Sequence, residues 1–234
     1  MSPPLALMSL ASDAVHTTFD VNANLRPSSS SLVHADGGSS ESSSAASPPL
    51  LKLMTMVYVV DTRERKVLLG HKARGFGAGK WNGFGGKVDA ADPSIQAGAQ
   101  RELEEECGLR CRAPLTRCGV MFYEYPVELE RRTLEVHVYW TDISNVDGVP
   151  RPSEEMNPID WFGFDDVPLD RMWADDPYWL PFFLEQCHAL SANLRAPRSF
   201  AGVFRFSNFE TVSDSFVVWL PPDLPGLRSD LLVG

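Results

Sequence analysis

From Leu51 the chain carries a β-rich run, MTMVYVVD, then a charged turn, TRERK, and a second short apolar run, VLLG. Two apolar runs joined by a polar turn predict a hairpin and place the start of a folded domain at residue 51. A glycine-dense stretch follows. Asp92-Pro93 then supplies an N-cap residue ahead of a proline suited to the first helical position, which predicts a helix ending at Gly108. GVMFYEY and LEVHVYW predict strands. In the second, Leu134, Val136, Val138 and Trp140 alternate with Glu135, His137 and Tyr139, so one face is expected in the core and the other free. Asp176-Pro177 predicts a further helix through about Leu190, and FAGVFRF with FVVWL a closing pair of strands. This order, with no internal repeat, predicts one mixed α/β domain over residues 51–220.

The first fifty residues break the pattern, with thirteen serines, five prolines and a single aromatic, Phe19. So little apolar surface cannot offset ordering entropy, and residues 1–50 are expected to form a disordered arm. Mitochondrial transit peptides are arginine-rich and poor in acids, whereas this arm has one arginine and four acidic residues, which favours a plain tail. Residues 221–234 read as a C-terminal tail.

Composition narrows the function classes. The 234 residues are 44% hydrophobic and 22% charged, ordinary globular usage, and the formal net charge is -10. That charge argues against a surface for long nucleic acid. An acidic chain that handles phosphates must recruit another attractant, and the usual solution is a divalent metal held by carboxylates. No apolar run approaches the roughly 18 residues of a membrane span, and LALMSLA lacks the basic flank of a secretion signal. Cys107, Cys111, Cys118 and Cys187 form no CxxC pair and read as reduced thiols. A cytoplasmic monomer with no membrane partner is expected, with nuclear or mitochondrial pools as alternative addresses.

The first predicted helix ends on Arg101-Glu102-Leu103-Glu104-Glu105-Glu106-Cys107-Gly108-Leu109. Four glutamates thus occupy its last turns, where the helix macrodipole prefers cations. At about 100° per residue, Glu102, Glu105 and Glu106 share one sector and Glu104 points away. Like charges at this spacing cost a few tenths of a kcal/mol per pair in water and more when partly buried, so a cation is expected among them. Carboxylate oxygens suit Mg²⁺, or Mn²⁺, with water and substrate phosphate completing the shell. Arg101, one turn before Glu105, is placed to orient it. A solvated acidic face is the bland alternative for three glutamates alone.

The run REUxEExGU, with U a bulky apolar residue, has a chance frequency below about one in a million per position. With GFGAGKWNGFGGK just upstream, it resembles the Nudix hydrolase family, whose signature is GX5EX7REUXEEXGU and whose members cleave a nucleoside diphosphate linked to another moiety. The resemblance implies the Nudix fold, an α/β/α sandwich with a mixed β-sheet. It also implies a metal site of Gly86, Glu102, Glu105, Glu106 and Glu155, catalytic roles for Arg101 and the three helix glutamates, and Glu106 as the chosen base. The box departs from the signature in one place. Five residues after Gly86 comes Asp92 where the family has glutamate, and eight residues rather than seven separate it from Arg101.

KARGFGAGKWNGFGGKV, EVHVYWTD, MWADDPYW and FAGVFRF are further similar to the branch of the family that acts on oxidised purine nucleoside triphosphates. By that similarity Thr55, Lys72, Phe76, Asn82, Tyr123, Leu134, Trp173, Asp175, Asp176 and Trp179 line a base pocket, while Gly85, Gly86 and Lys87 face phosphate. Aromatic faces stack on any base at about 1 to 3 kcal/mol each, whereas an amide and paired carboxyls read its polar edge. Two neighbouring carboxyls in an apolar pocket resist double ionisation, so one of Asp175 and Asp176 is expected to carry a proton and donate to the purine. Tyr123 stands where that branch has phenylalanine and adds a hydroxyl. The implied activity is Mg²⁺-dependent hydrolysis of substrates such as 8-oxo-dGTP and 2-oxo-dATP to the monophosphate and pyrophosphate. The alternatives are a Nudix hydrolase for ADP-ribose, capped RNA or N-methylated purine nucleotides, and a nucleotide-binding Nudix protein without turnover.

Overall fold

A computed structural model describes residues 50–126, 129, 132–191 and 199–220. The expected arm, apart from Leu50, and the expected tail lie outside these residues. In chain order the elements are β1 (Leu50–Asp61), β2 (Lys66–Lys72), β3 (Trp81–Asn82), α1 (Ile95–Cys107), β4 (Arg110–Cys111), β5 (Thr116–Glu124) and β6 (Arg132–Asp142). They continue with β7 (Val146–Asp147), β8 (Met156–Gly163), α2 (Asp176–Ser191), β9 (Ser199–Asn208) and β10 (Thr211–Leu220). The predicted hairpin, second helix and closing strand pair are all present. The first strand begins one residue before the expected boundary.

Eight strands make one sheet in the order β10-β9-β5-β6-β1-β2-β3, with β8 also paired to β2, and β4 pairs with β7 separately. β1 runs parallel to β6 and β5 parallel to β9, while β1–β2 and β5–β6 are antiparallel. The sheet is therefore mixed, as the resemblance implied. Along β1, Val57 and Val59 pack with Leu103 and Cys107 of α1. The intervening Tyr58 and Val60 pack with Trp179 and Phe183 of α2. A strand covered on both faces needs apolar side chains at every position, which is why MTMVYVV shows no polar alternation.

Two expectations need correction. The polar face of β6 is not free, because Glu135, His137 and Tyr139 are buried along with Leu134 and its alternates. β6 lies inside the sheet between β1 and β5, and His137 Nε2 and Glu135 Oε1 meet at 2.8 Å, so these polar groups pair within the core rather than with water, although His137 Nδ1 has no partner among the described residues. Asp92 does not cap α1 either. Ser94 is the N-cap, its Oγ accepting the Ala97 N–H at 3.1 Å, and the carboxylate of Asp92 is used elsewhere. The C-terminus is as predicted: Gly108 is left-handed and donates its N–H to the Glu104 carbonyl at 2.8 Å. Among the described residues no helix is long and apolar enough to cross a membrane.

The glycine-dense stretch extends the sheet. Val57 N–H donates to the Phe84 carbonyl at 2.6 Å, Thr55 N–H to the Gly86 carbonyl at 2.8 Å and Val88 N–H to the Leu53 carbonyl at 3.1 Å. This close run alongside β1 requires Gly85 at φ 152°, where a Cβ would overlap the Thr55 carbonyl. Residues 83–86 are thereby held between the flank of α1 and the α2 side of the sheet. A Cβ on Gly83 would touch Met56 Sδ and the ring of Tyr58, and one on Gly86 would touch the Glu102 carboxylate.

Candidate active site

The exposed flank of α1 faces a cavity of about 530 Å³ lined by Gly85, Gly86, Lys87, Lys72, Arg74 and Ser153 together with Glu102, Glu105, Glu106, Glu154 and Glu155. Five glutamates against three basic side chains leave its wall negative. Helical spacing brings Glu102, Glu105 and Glu106 to this wall, as expected, and Glu104 instead pairs with Arg110 at 2.7 Å. Glu106 is buried and both its oxygens are engaged, Oε1 by Lys72 Nζ at 2.9 Å and Oε2 by the Gly85 N–H at 2.7 Å. Lys72 also reaches Glu155 Oε2 at 2.8 Å. Lys72 thus bridges the helix to the loop before β8.

Burial pushes Glu106 above the usual carboxylate range, against the pull of Lys72 and the Gly85 amide. It does the same to Glu102, against Arg101. Burial would lower the Lys72 ammonium, but its bonds to Glu155 and Glu106 outweigh that and raise it. Glu155, beside Lys72, is held below its ordinary value.

Arg101 is the organiser of this wall. Its Nη1 donates to Glu102 Oε1 at 2.9 Å and to Glu105 Oε2 at 3.0 Å. Its Nε and Nη2 grip the two oxygens of Asp92, each at 2.9 Å, and Nη2 also reaches the Lys87 carbonyl at 3.2 Å. The fork of Asp92 is a geometry only guanidinium matches, and it fixes the side on which Arg101 meets the glutamates. The hydrogen bonds from Arg101 lower Asp92 to about 2, helped by the Asp89 N–H. The extra residue before Arg101 is therefore absorbed without losing the clamp.

On the α2 side of the sheet a second acidic pair is dry. Asp175 is 3% and Asp176 2% exposed. Asp175 Oδ2 accepts from Tyr123 Oη at 2.9 Å and Trp179 Nε1 at 3.1 Å, and Asp176 Oδ2 accepts the Trp173 N–H at 2.9 Å. Burial raises both acids, and the charge of Asp175 pushes Asp176 further up. Around them the rings of Phe76 and Trp173 lie 4.9 Å apart, Tyr123 stacks on Phe204, and Leu134 stands directly opposite Tyr123 in register. Asn82 ends β3, its Oδ1 accepting the Gly83 N–H at 3.0 Å. Thr55 lies on the α1 side, its Oγ1 donating to the Gly86 carbonyl at 3.4 Å. Lys72 stands with the glutamates rather than with the aspartate pair.

Comparison with known proteins places this arrangement. The NUDIX domain model matches residues 52–183. The chain belongs to the Nudix family. An oxidized purine nucleoside triphosphate hydrolase of Danio rerio is 41% identical over 161 residues, covering 69% of this chain and 90% of that protein. The mouse protein of the same name is 40% identical over the same share. A mutator MutT protein from Bacillus halodurans, solved by crystallography, has a TM-score of 0.53 at 21% identity, covering 71% of this chain and 97% of that one, and is similar in fold.

Nudix hydrolases generally need a divalent metal, and the chemistry of the donor set fits one. Glu102, Glu105 and Glu106 offer hard oxygens on one flank, and the missing Cβ at Gly86 lets the Glu102 carboxylate lie against the backbone. Among the described residues no three acidic, histidine or cysteine side chains already converge tightly enough to hold an ion, and Arg101 and Lys72 occupy oxygens of all three glutamates. Reading the sequence missed several residues that the structure places beside those expected in the site. Tyr58 lies close enough to be raised by the charges of Asp176 and Asp175, after burial itself, but it sits in an apolar run where nothing distinguishes it from core. Tyr125 and Phe209 join the ring cluster over Phe76, and Lys80 bonds Glu210 at 2.7 Å. These contacts join the glycine-rich loop to the β9–β10 turn, far apart in sequence.

Proposed function

We propose that this Nudix protein is a Mg²⁺-dependent pyrophosphohydrolase that converts oxidised purine nucleoside triphosphates to the monophosphate and pyrophosphate. The observation that carries the reading is the buried pair of acids Asp175–Asp176 beside Trp173, Trp179 and Tyr123. Aromatic rings bind any base, but a dry donor–acceptor pair selects one edge and rejects bases that leave it unmatched. The names of the two curated relatives support the same substrate class.

The triphosphate enters the glutamate-lined cavity, and residues 83–86 connect it to the base pocket. Glu102, Glu105 and Glu106, with Glu155 at the rim, would hold a Mg²⁺ ion, which would neutralise phosphate charge and acidify the attacking water. The all-oxygen donor set suits Mg²⁺ and admits Mn²⁺ as well. Lys72 and Lys87 meet the phosphates, and their charge makes the acidic wall tolerable to a polyanion. As Lys72 turns to phosphate it releases Glu106 Oε1, freeing that oxygen to take a proton. Arg101, fixed by Asp92, holds Glu102 and Glu105 on the reacting side. The test is a panel of normal and oxidised purine triphosphates, ADP-ribose and capped RNA, assayed for pyrophosphate release with and without Mg²⁺. Turnover of 8-oxo-dGTP or 2-oxo-dATP ahead of dGTP and dATP is expected. Preference for ADP-ribose or capped RNA, or binding without turnover, would replace this reading.

A further inference from the structure

We propose that Tyr123 is a positioning residue that fixes which of the two buried acids is ionised and so holds the pocket to one of the two kinds of purine edge. The inference deepens the reading above and rests on an oxidised purine being the bound base. Asp175 Oδ2 receives two hydrogen bonds, from Tyr123 Oη at 2.9 Å and Trp179 Nε1 at 3.1 Å. The indole N–H can only donate. The phenol can donate or accept, and its other partner is Met121 Sδ at 3.4 Å, a weak acceptor. Its proton therefore belongs to Asp175. Two donors stabilise the charge of a carboxylate more than one does, so the negative charge is favoured on Asp175. Asp176 receives one donor, the Trp173 N–H at 2.9 Å on Oδ2, and with the weaker support for its charge it keeps the proton.

The surroundings favour the same assignment. Tyr58 of β1 and Tyr123 of β5 are both raised chiefly by burial and then by the charges of the pair, so they stay neutral and available as donors. Lys80, from the glycine-rich loop, favours ionisation of each acid. It does not choose between them. Cys118 faces Tyr58 from β5, and its thiol is pushed upward by burial, so it adds no charge of its own. The two hydroxyl- and indole-donated bonds to Asp175 are what break the tie.

Purine edges differ in the order of their groups. The two test purines differ at position 6: an 8-oxo-6-oxopurine offers an acceptor there beside an N1–H donor, whereas a 2-oxo-6-aminopurine offers a donor there and, in its keto form, a second donor at N1. A pair free to exchange its proton can turn either a donor or an acceptor to position 6. With the proton confined to Asp176, one purine is matched at position 6 and the other meets donor with donor or acceptor with acceptor there. The ring of Tyr123 stacks on Phe204 at 5.7 Å and 20°, so Tyr123→Phe removes the hydroxyl and keeps the packing.

The experiment measures kcat/KM of the full chain for 8-oxo-dGTP and 2-oxo-dATP across pH, in wild type and Tyr123→Phe. The ratio between the two substrates is expected to move toward one by about tenfold, the weight of a hydrogen bond to a charged group, mainly through KM of the disfavoured substrate. The acidic limb of kcat/KM for the favoured substrate shifts to higher pH, because a donor that stabilised the carboxylate is gone. Activity with an unchanged ratio and an unmoved limb overturns the assignment. Wild-type protein that hydrolyses neither oxidised purine fails the substrate reading and this inference with it. Independently of activity, the infrared carbonyl band of a protonated acid should vanish in Asp176→Asn, and its persistence there also overturns the assignment.

Discussion

The molecule holds two clusters of acidic side chains, one on each face of the same sheet, and they are balanced in opposite ways. On the α1 side Glu102, Glu105 and Glu106 face a wet cavity, where Arg101 and Lys72 supply compensating charge. On the α2 side Asp175 and Asp176 are buried among aromatic rings, where Tyr123, Trp179 and the Trp173 N–H supply hydrogen bonds and burial favours the neutral acid. Glutamates on the edge of water keep charge and can exchange a cationic side chain for a metal. Aspartates without water keep a proton and can present a donor beside an acceptor. In the proposed function the first cluster meets phosphate charge and the second reads the polar edge of a base.

Glu105→Gln breaks the first cluster with the largest expected effect. Glu105 is 58% exposed and held by Arg101 alone of the site's cations, so folding stability should change by less than about 0.5 kcal/mol. Pyrophosphate release should nevertheless fall by about 100-fold or more, as for removal of a group that stabilises transition-state charge. Melting curves together with rates check both halves. Asp176→Asn breaks the second cluster: preference for oxidised over normal purine should fall by about 100-fold in competition assays, with release from the favoured alternative retained.

Asp176 and Asp92, the acid that anchors Arg101, should also answer pH with opposite signs. Asp176 is raised above its ordinary 3.8 by burial and by Asp175. Its contribution to stability is thus complete below that value and is lost as pH rises through the folded-state value. Asp176→Asn should therefore melt a few degrees higher than wild type near pH 8, and the gap should close on approaching about pH 4. Asp92, lowered to about 2 chiefly by Arg101, contributes stability that is present above 3.8 and lost as pH falls through the lowered value. Asp92→Asn should abolish that acid-side dependence in pH-resolved melting and cost about tenfold in kcat by loosening Arg101. Removing residues 1–49 is the smallest perturbation and should leave kcat/KM within about twofold, since β1 begins at Leu50.

Much of the glutamate wall was legible in the sequence, because helical spacing alone decides which side chains share a flank. Glu102, Glu105 and Glu106 meet the cavity and Glu104 turns to Arg110, as the spacing dictates. The helix end at Gly108 was equally local. Its start was misread because Asp92-Pro93 has cap chemistry, while the Asp92 carboxylate is claimed by Arg101, nine residues on. The polar face of β6 was misread for a related reason: Glu135 and His137 bond each other in the core, and alternation records polarity without recording partners. The proposed base pocket was legible only through resemblance. Its residues come from β5, β6, α2 and the glycine-rich loop, and no local period links Tyr123 to Asp175, fifty-two positions away.

The most direct measurement is the ratio of kcat/KM for 8-oxo-dGTP over dGTP, taken from pyrophosphate release by the full chain at saturating Mg²⁺ and again with chelator. The two-cluster account predicts a preference of at least about tenfold for the oxidised base, as expected where a buried polar pair must be matched, and no turnover once the metal is removed. Equal turnover of the two nucleotides, or turnover that survives the chelator, would contradict it.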